Sequence, residues 1–167
     1  MIIYNFSTAS NHSILEGKNI FLADEYSLDY QCPEDVTRTF SPLTSFVFGT
    51  IELWFSIPLK QLLYIGGYTS VQSWKSAEIF PPKNIVRSAV VIDSQEDFLS
   101  GVSIQIMDDK QATRTWNPST GWLCIGSTDI RTQSESIEFA KDSIVILQDK
   151  QIFSLWLQIH NFQNLNT

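Results

Sequence analysis

"SFVFGTIELWFSI" (Ser45–Ile57) is the stretch on which the fold turns. Phe46 and Phe48 alternate with Ser45 and Val47. After Gly49, Ile51, Leu53 and Phe55 alternate with Thr50, Glu52 and Trp54. A period of two marks a β-strand, because successive side chains leave a pleated backbone on opposite sides. Both faces carry apolar side chains, so the segment is expected inside a sheet that is covered on both sides. Gly49 marks a bend or bulge. Phe48, Ile51 and Trp54 are the core candidates here. Val145, Leu147 and Leu155 join them from "DSIVILQDKQIFSLWLQI" (residues 142–159), which reads as two apolar strands around a short turn at Asp149–Lys150.

Outward from these two runs, the same pattern recurs. "PLKQLLYIGGY" (58–68) is a strand ended by Gly66–Gly67, and "NIVRSAVVID" (84–93) is another. "GVSIQIM" sets Val102, Ile104 and Ile106 against Ser103 and Gln105, then "DDK" turns the chain into a return strand, "ATRTW". "IIYNF" (2–6), "NIFLADEY" (19–26) and "SIEFA" (136–140) add shorter strands. Helical signals are few. Pro33 with Glu34 and Asp35 opens one or two turns that Pro42 stops. Val71, Trp74 and Ala77 have helical spacing, and "SQEDFLSG" predicts a single turn capped by Ser94 with Asp97 three residues later. "HNFQNLNT" (160–167) reads as a fraying polar tail. The expectation is one domain, 1–167, mainly β: an antiparallel sheet in a sandwich or partly open barrel with eight to ten strands and a few short helices, with α+β as the alternative.

"WNPSTGWLCIG" (116–126) places Asn117, Pro118 and Gly121 between two apolar arms, the composition of a hairpin turn. Trp116 and Trp122 then sit near its ends, either as a cross-strand pair or as exposed anchors for a partner.

Composition narrows the function classes. The 167 residues are 43% hydrophobic and 17% charged, with net charge −7 and pI about 4.7. A field of that sign repels phosphate, and no basic run offsets it, so nucleic-acid binding is not expected. Acids concentrate in two windows. Residues 1–35 hold six acids, among them Asp24 and Glu25, against Lys18 alone. Residues 93–110 hold Asp93, Glu96, Asp97, Asp108 and Asp109 against Lys110 alone. These seven acids, with Trp116 and Trp122, are the candidate partner-binding residues: charge to attract a basic partner and indoles to hold it. The other reading of the windows is solvated loops. No signal-peptide pattern and no long apolar run occur, so no membrane association is expected. Cys32 and Cys124 are expected as reduced, buried thiols, and the cytoplasm as the compartment.

Chemistry is absent from the motifs. No zinc-ligand spacing, phosphate loop or cofactor pattern occurs, so catalytic residues, metals and cofactors are all predicted to be none. His12 and His160 would have to meet a carboxylate or thiol for a hydrolase reading, and an enclosed apolar cavity would favour a small-molecule-binding barrel or sandwich.

"TGWLCIGSTDIRTQSESIEFAKDSIVILQDKQIFSLWLQI" (Thr120–Ile159) carries a resemblance. Its Gly-Trp-x-Cys-Ile-Gly strand, polar loop, "IEFAKDSIVIL" and terminal "SLWL" strand resemble the end of small bacterial immunity proteins of contact-dependent and other polymorphic toxin systems. The likeness covers about a quarter of the chain. It implies a cytoplasmic inhibitor, not an enzyme, that binds one cognate toxin domain, often a nuclease, and occludes its active or substrate-binding surface.

Overall fold

The computed structural model describes residues 3–165, of which strands dominate: 48% strand against 7% helix, in two mixed sheets, one curled into a half-barrel. In chain order the strands are β1 (Asn5–Ala9), β2 (Lys18–Leu22), β3 (Ser27–Gln31), β4 (Leu43–Phe48), β5 (Ile51–Ser56), β6 (Gln61–Tyr68), β7 (Lys75–Ser76) and β8 (Ile85–Arg87). They continue with β9 (Ala89–Asp93), β10 (Ile104–Met107), β11 (Arg114–Trp116), β12 (Trp122–Gly126), β13 (Glu135–Ala140), β14 (Ser143–Gln148) and β15 (Gln151–Gln158). The α-helix, α1 (Val36–Phe40), is one turn capped by Asp35, whose side chain accepts the Arg38 N–H.

Sheet one runs β1-β9-β6-β5-β4-β10, and the β2–β3 hairpin joins it through β6. One edge of β6 is shared. Gln61 pairs with Val91 of β9, while Gly67 and Tyr68 pair with Leu28 and Ser27 of β3, so the sheet forks there. Sheet two runs β7-β11-β12-β15-β14-β13-β8. The parallel pairings, β10 with β4, β7 with β11 and β8 with β13, all lie at sheet margins, and the interior is antiparallel.

One core fills the space between the sheets, with Phe46, Phe48, Ile51, Leu53 and Phe55 meeting Leu123, Val145, Leu147, Leu155 and Leu157. Phe48, Ile51, Val145, Leu147 and Leu155 are buried as expected. Trp54 is not in the core: it is half-buried on the outer face of β5, because Ile51, Leu53 and Phe55 take the inner face. Sheet two is also covered behind. Cys124, Ile144, Ile146 and Trp156 form a second apolar layer under Ile79 and Ile130, which explains why β14 is apolar at nearly every position.

Several expectations change in three dimensions. "NIVRSAVVID" is two strands: β8 joins sheet two and β9 joins sheet one, with the Ser88 N–H held by the Glu138 carbonyl at 3.1 Å between them. "GVSIQIM" and "ATRTW" are no hairpin either, since β10 and β11 belong to different sheets and the Asp108–Lys110 turn crosses between layers. Val102, expected inward, is 53% exposed. No helical turn forms at Ser94, whose hydroxyl instead accepts the Glu96 N–H at 3.0 Å. Residues 94–103 must travel from β9 to β4, and an extended residue advances about 3.3 Å where a helical one advances about 1.5 Å. Phe98 plugs the core on the way, against Phe46 and Phe55. The Val71–Ala77 helix shrinks to a 3-10 turn, Val71–Ser73. The tail does not fray through Leu165. Asn161 brackets Phe21, accepting its N–H at 3.0 Å and donating to its carbonyl at 2.8 Å. The expected strand at residues 2–6 starts instead at Asn5, and its first residue, like residues 1, 166 and 167, lies outside the described range.

The "NPSTG" hairpin forms, with β11 antiparallel to β12. Gly121 has φ +82°, and a Cβ there would lie 2.6 Å from the Phe162 ring, so glycine is required on both counts. Trp116 pairs with Leu123, not with Trp122, so the two tryptophans face opposite sides of the sheet.

Candidate functional site

The register of sheet one decides which expected site residues meet. β4 and β5 turn at Gly49–Thr50, and β6 ends at the same level, because Ile51 pairs with Gly67. Asp24 and Glu25 occupy the β2–β3 turn, which reaches this level through the pairing of Ser27 with Tyr68. Asp109 arrives there too. Arg114 holds Asp109 at 2.7 Å with one guanidinium nitrogen and donates to the Thr50 hydroxyl at 2.7 Å with the other, and that hydroxyl donates to the Tyr68 carbonyl at 2.6 Å. Two acidic turns distant in sequence therefore converge at one end of sheet one. Asp108, beside them, closes its own turn by accepting the Lys110 N–H.

The remaining acids go elsewhere. Asp93 pairs with Asn5 at the opposite end, where the Ile92 N–H meets the Lys60 carbonyl of the β5–β6 turn. Asp93 accepts from the Ser7 hydroxyl at 2.9 Å, Glu96 accepts from Tyr4 at 2.8 Å, and Asp97 is exposed nearby. The six residues of β5 separate the two ends by roughly 17–20 Å. One acidic face from all seven acids does not exist. Trp116 is 5% exposed and packs edge-on against Trp74 at 5.5 Å, so it offers no indole to a partner. Trp122 is half-buried against the back layer of sheet two, away from both acidic groups.

What the convergent end does offer is aromatic. Tyr26 and Tyr68 are 49% and 57% exposed, with ring centroids 6.4 Å apart between the two acidic turns. From Tyr68, the alternate positions of β6 lead through Gly66 to Tyr64, and Glu52 and Trp54 stand across from Gly66 and Tyr64 on β5. Tyr64 stacks on Trp54 at 6.2 Å and on Tyr30 at 5.8 Å. Beyond Tyr64 lies an open groove of about 370 Å³, walled by Tyr30, Cys32 and Val36 and rimmed by Asp29, Glu34 and Asp35. No basic side chain lines it among the described residues. Burial, reinforced by Asp29 and Glu52, pushes the Tyr64 phenol up to about 12. Burial and the neighbouring Glu34 raise the Cys32 thiol, so it stays protonated at neutral pH.

Asp29, Glu34, Asp35, Glu52 and the tyrosines were not singled out from the sequence. Asp29 is legible only as charge in the first window, Glu34 and Asp35 as helix-start signals, and tyrosines on strands carry no motif. A usable signal did exist: Tyr64, Gly66 and Tyr68 share one face of a period-two strand with a gap between rings.

The two histidines lie far apart in the fold. His12 lines an open depression of about 650 Å³ with Lys60 and Asp93. The His160 Nε2 lies 2.8 Å from Asp142, but no hydroxyl or thiol bonds to its ring among the described residues. The Asp142 carbonyl instead accepts from Asn19 and Gln158, which ties the β13–β14 turn to the end of β15. Cys124 is buried, its thiol pushed up to about 12 by that burial. Among the described residues no group of three or more His, Cys, Asp or Glu is placed to hold a metal ion, and no helix is long and apolar enough to cross a membrane.

No family model matches the chain, and neither a curated protein nor a solved structure does.

Proposed function

We propose that this protein is a cytoplasmic immunity protein, which binds a basic toxin domain and neutralises it by covering its active or substrate-binding surface. One observation carries the reading: the exposed face of sheet one joins Tyr26, Tyr68, Trp54 and Tyr64 with carboxylates from four chain segments. Opposite charge accelerates encounter, and large, stiff aromatic side chains hold a complex because they bury area at little entropic cost. A toxin that cleaves nucleic acid needs a positive surface for phosphate, and an acidic face competes for that surface. The resemblance of Thr120–Ile159 to immunity proteins supports the same class; those residues build sheet two, which backs the exposed face.

The test begins with the neighbouring gene. A large secreted protein with a variable C-terminal domain is expected there, and that domain is the binding partner to purify. Co-expression should restore growth of cells that produce the domain, and the two chains should co-elute. Replacing Tyr26 and Tyr68 together by alanine should weaken the complex while the circular dichroism spectrum stays unchanged. An unrelated neighbourhood, or a toxin domain that is neither bound nor neutralised, removes the proposal.

A further inference from the structure

We infer that residues 127–134 form a strap that lifts from the back of sheet two while both sheets stay folded, baring the Cys124 thiol. The inference stands apart from the partner-binding reading above.

Three observations carry it. The first is topological. β12 and β13 are consecutive in the chain, but β15 and β14 lie between them in the sheet, so their connection must cross two strands. Ile130 of that connection packs on the layer of Cys124, Ile144, Ile146 and Trp156, which places the crossing on the outer face of sheet two. Three strand spacings amount to roughly 14 Å, whereas residues 127–134 fully extended reach roughly 26 Å. The strap has slack to rise without pulling on either strand.

The second is how little fastens it. "STDIRTQS" carries one strongly apolar side chain, Ile130. Its backbone is bonded within itself: the Asp129 N–H donates to the Ser127 hydroxyl at 3.1 Å and the Ser134 N–H to the Arg131 carbonyl at 3.0 Å. Among the described residues its one hydrogen bond to the sheet is the Cys124 thiol donating to the Ser127 carbonyl at 3.6 Å, and a thiol is a weak donor. An open groove of about 340 Å³ already runs between Arg131 and the sheet at Gln148, Gln151 and Phe153, so the strap is undercut along one side.

The third is what lies beneath. Ser134 Oγ, Gln148 Oε1, Ser154 Oγ and Trp156 Nε1 are enclosed and make no hydrogen bond. All four belong to the strap or to the two strands it crosses. Ser154 stands in the row between Gly126 and Ile146 where the strap leaves β12, and Trp156 stands in the next such row, between Cys124 and Ile144. Closure keeps these groups dry and unpaired, and opening lets water pair them. Apolar contact through Ile130 therefore holds the strap down against a polar layer that favours its release, the condition for local opening well below the cost of global unfolding.

The experiment uses the full chain with Cys32→Ser, which leaves Cys124 as the one thiol. An aromatic disulfide reagent labels it at increasing urea concentrations below the unfolding midpoint. Cys124 should react about tenfold or more faster than global unfolding permits, and the rate should stay nearly flat in urea, because lifting a strap exposes little surface. Ile130→Ser should speed labelling about tenfold, the order expected for one lost aliphatic contact. Leu155→Ala, on the front face, should lower the urea midpoint and leave labelling unchanged. Labelling that follows the global unfolding curve at every urea concentration overturns the inference. So does acceleration by Leu155→Ala in proportion to lost stability, or indifference to Ile130→Ser.

Discussion

Trp54 and Tyr64 face each other across β5 and β6 with ring planes 20° from parallel, on the outside of the sheet. Their inner neighbours Leu53 and Ile65 are fully buried. The β5–β6 pair therefore divides its side chains between stability and surface, and the division predicts different costs. Phe46 meets Tyr4, Phe6, Phe55 and Phe98 at 4.7–6.2 Å, and Phe46→Ala should cost about 3–5 kcal/mol. Leu155→Ala, also fully buried, should cost about 2–5 kcal/mol. Trp54→Ala should cost clearly less than either, despite deleting the largest side chain. Urea midpoints rank the three; a Trp54 variant as unstable as Phe46→Ala would return Trp54 to the core.

Gly67 provides a backbone test. Its φ is +109°, and a Cβ would stand 2.9 Å from the Glu52 N and 3.0 Å from the Thr50 carbonyl, both backbone atoms that cannot step aside. Gly101 also has positive φ, +73°, but meets nothing within 4 Å. Gly101→Ala should cost on the order of 1 kcal/mol from strain alone, and Gly67→Ala distinctly more, from strain plus collision. Equal denaturation midpoints for the two variants would mean that the β5–β6 register gives way easily.

Alkaline stability follows from the buried acids of high pKa. Burial raises the Tyr64 phenol and the Cys124 thiol to about 12, from ordinary values of 10.0 and 9.0, and raises Tyr30 in the same direction. The folded state keeps these protons where the unfolded chain releases them. The stability they contribute is complete below about pH 9 and is lost as pH rises towards 12. The urea midpoint should hold level from neutral pH to about 9 and then fall, and Tyr64→Phe should make the fall shallower. A midpoint constant to pH 12 would show these side chains to be solvated.

Period-two segments gave the fold class, because alternation is a local property of a chain half in contact with a core. Sheet membership was not legible. "NIVRSAVVID" reads as one β-branched run without a turn signal, yet the chain changes sheets at Ser88, and nothing in the local pattern distinguishes one sheet's interior from the other's. Trp116 shows the same limit at the candidate site. A tryptophan next to a turn reads equally as anchor or as core, and only Trp74, 42 positions earlier, decides for the core. Acidic windows were legible as charge but not as direction: the Asp24–Glu25 turn and Asp109 lie at the same end of sheet one, where Arg114 ties Asp109 to Thr50, while Asp93 lies at the far end of β5.

That separation makes the final prediction directional. In the proposed complex with a toxin domain, Asp24→Lys with Glu25→Lys should slow association, since both side chains are exposed beside Tyr26, where charge would steer a basic partner. Asp93→Lys with Asp97→Lys changes net charge equally but acts roughly 17–20 Å away, beyond the screening length of about 8 Å at physiological salt. Its effect on association should be small at that salt and should grow as salt is lowered. Dissociation should follow the aromatic side chains instead: Tyr68→Ala should speed it, with little change in the association rate. Asp109→Asn is the internal control. Its carboxylate is already paired with Arg114, so its loss should alter association less than reversal at the β2–β3 turn. Stopped-flow association and surface-capture dissociation, each at low and physiological salt, separate these contributions. Equal slowing by the two double reversals at physiological salt would mean that the whole molecule's charge, and not this face, guides the encounter.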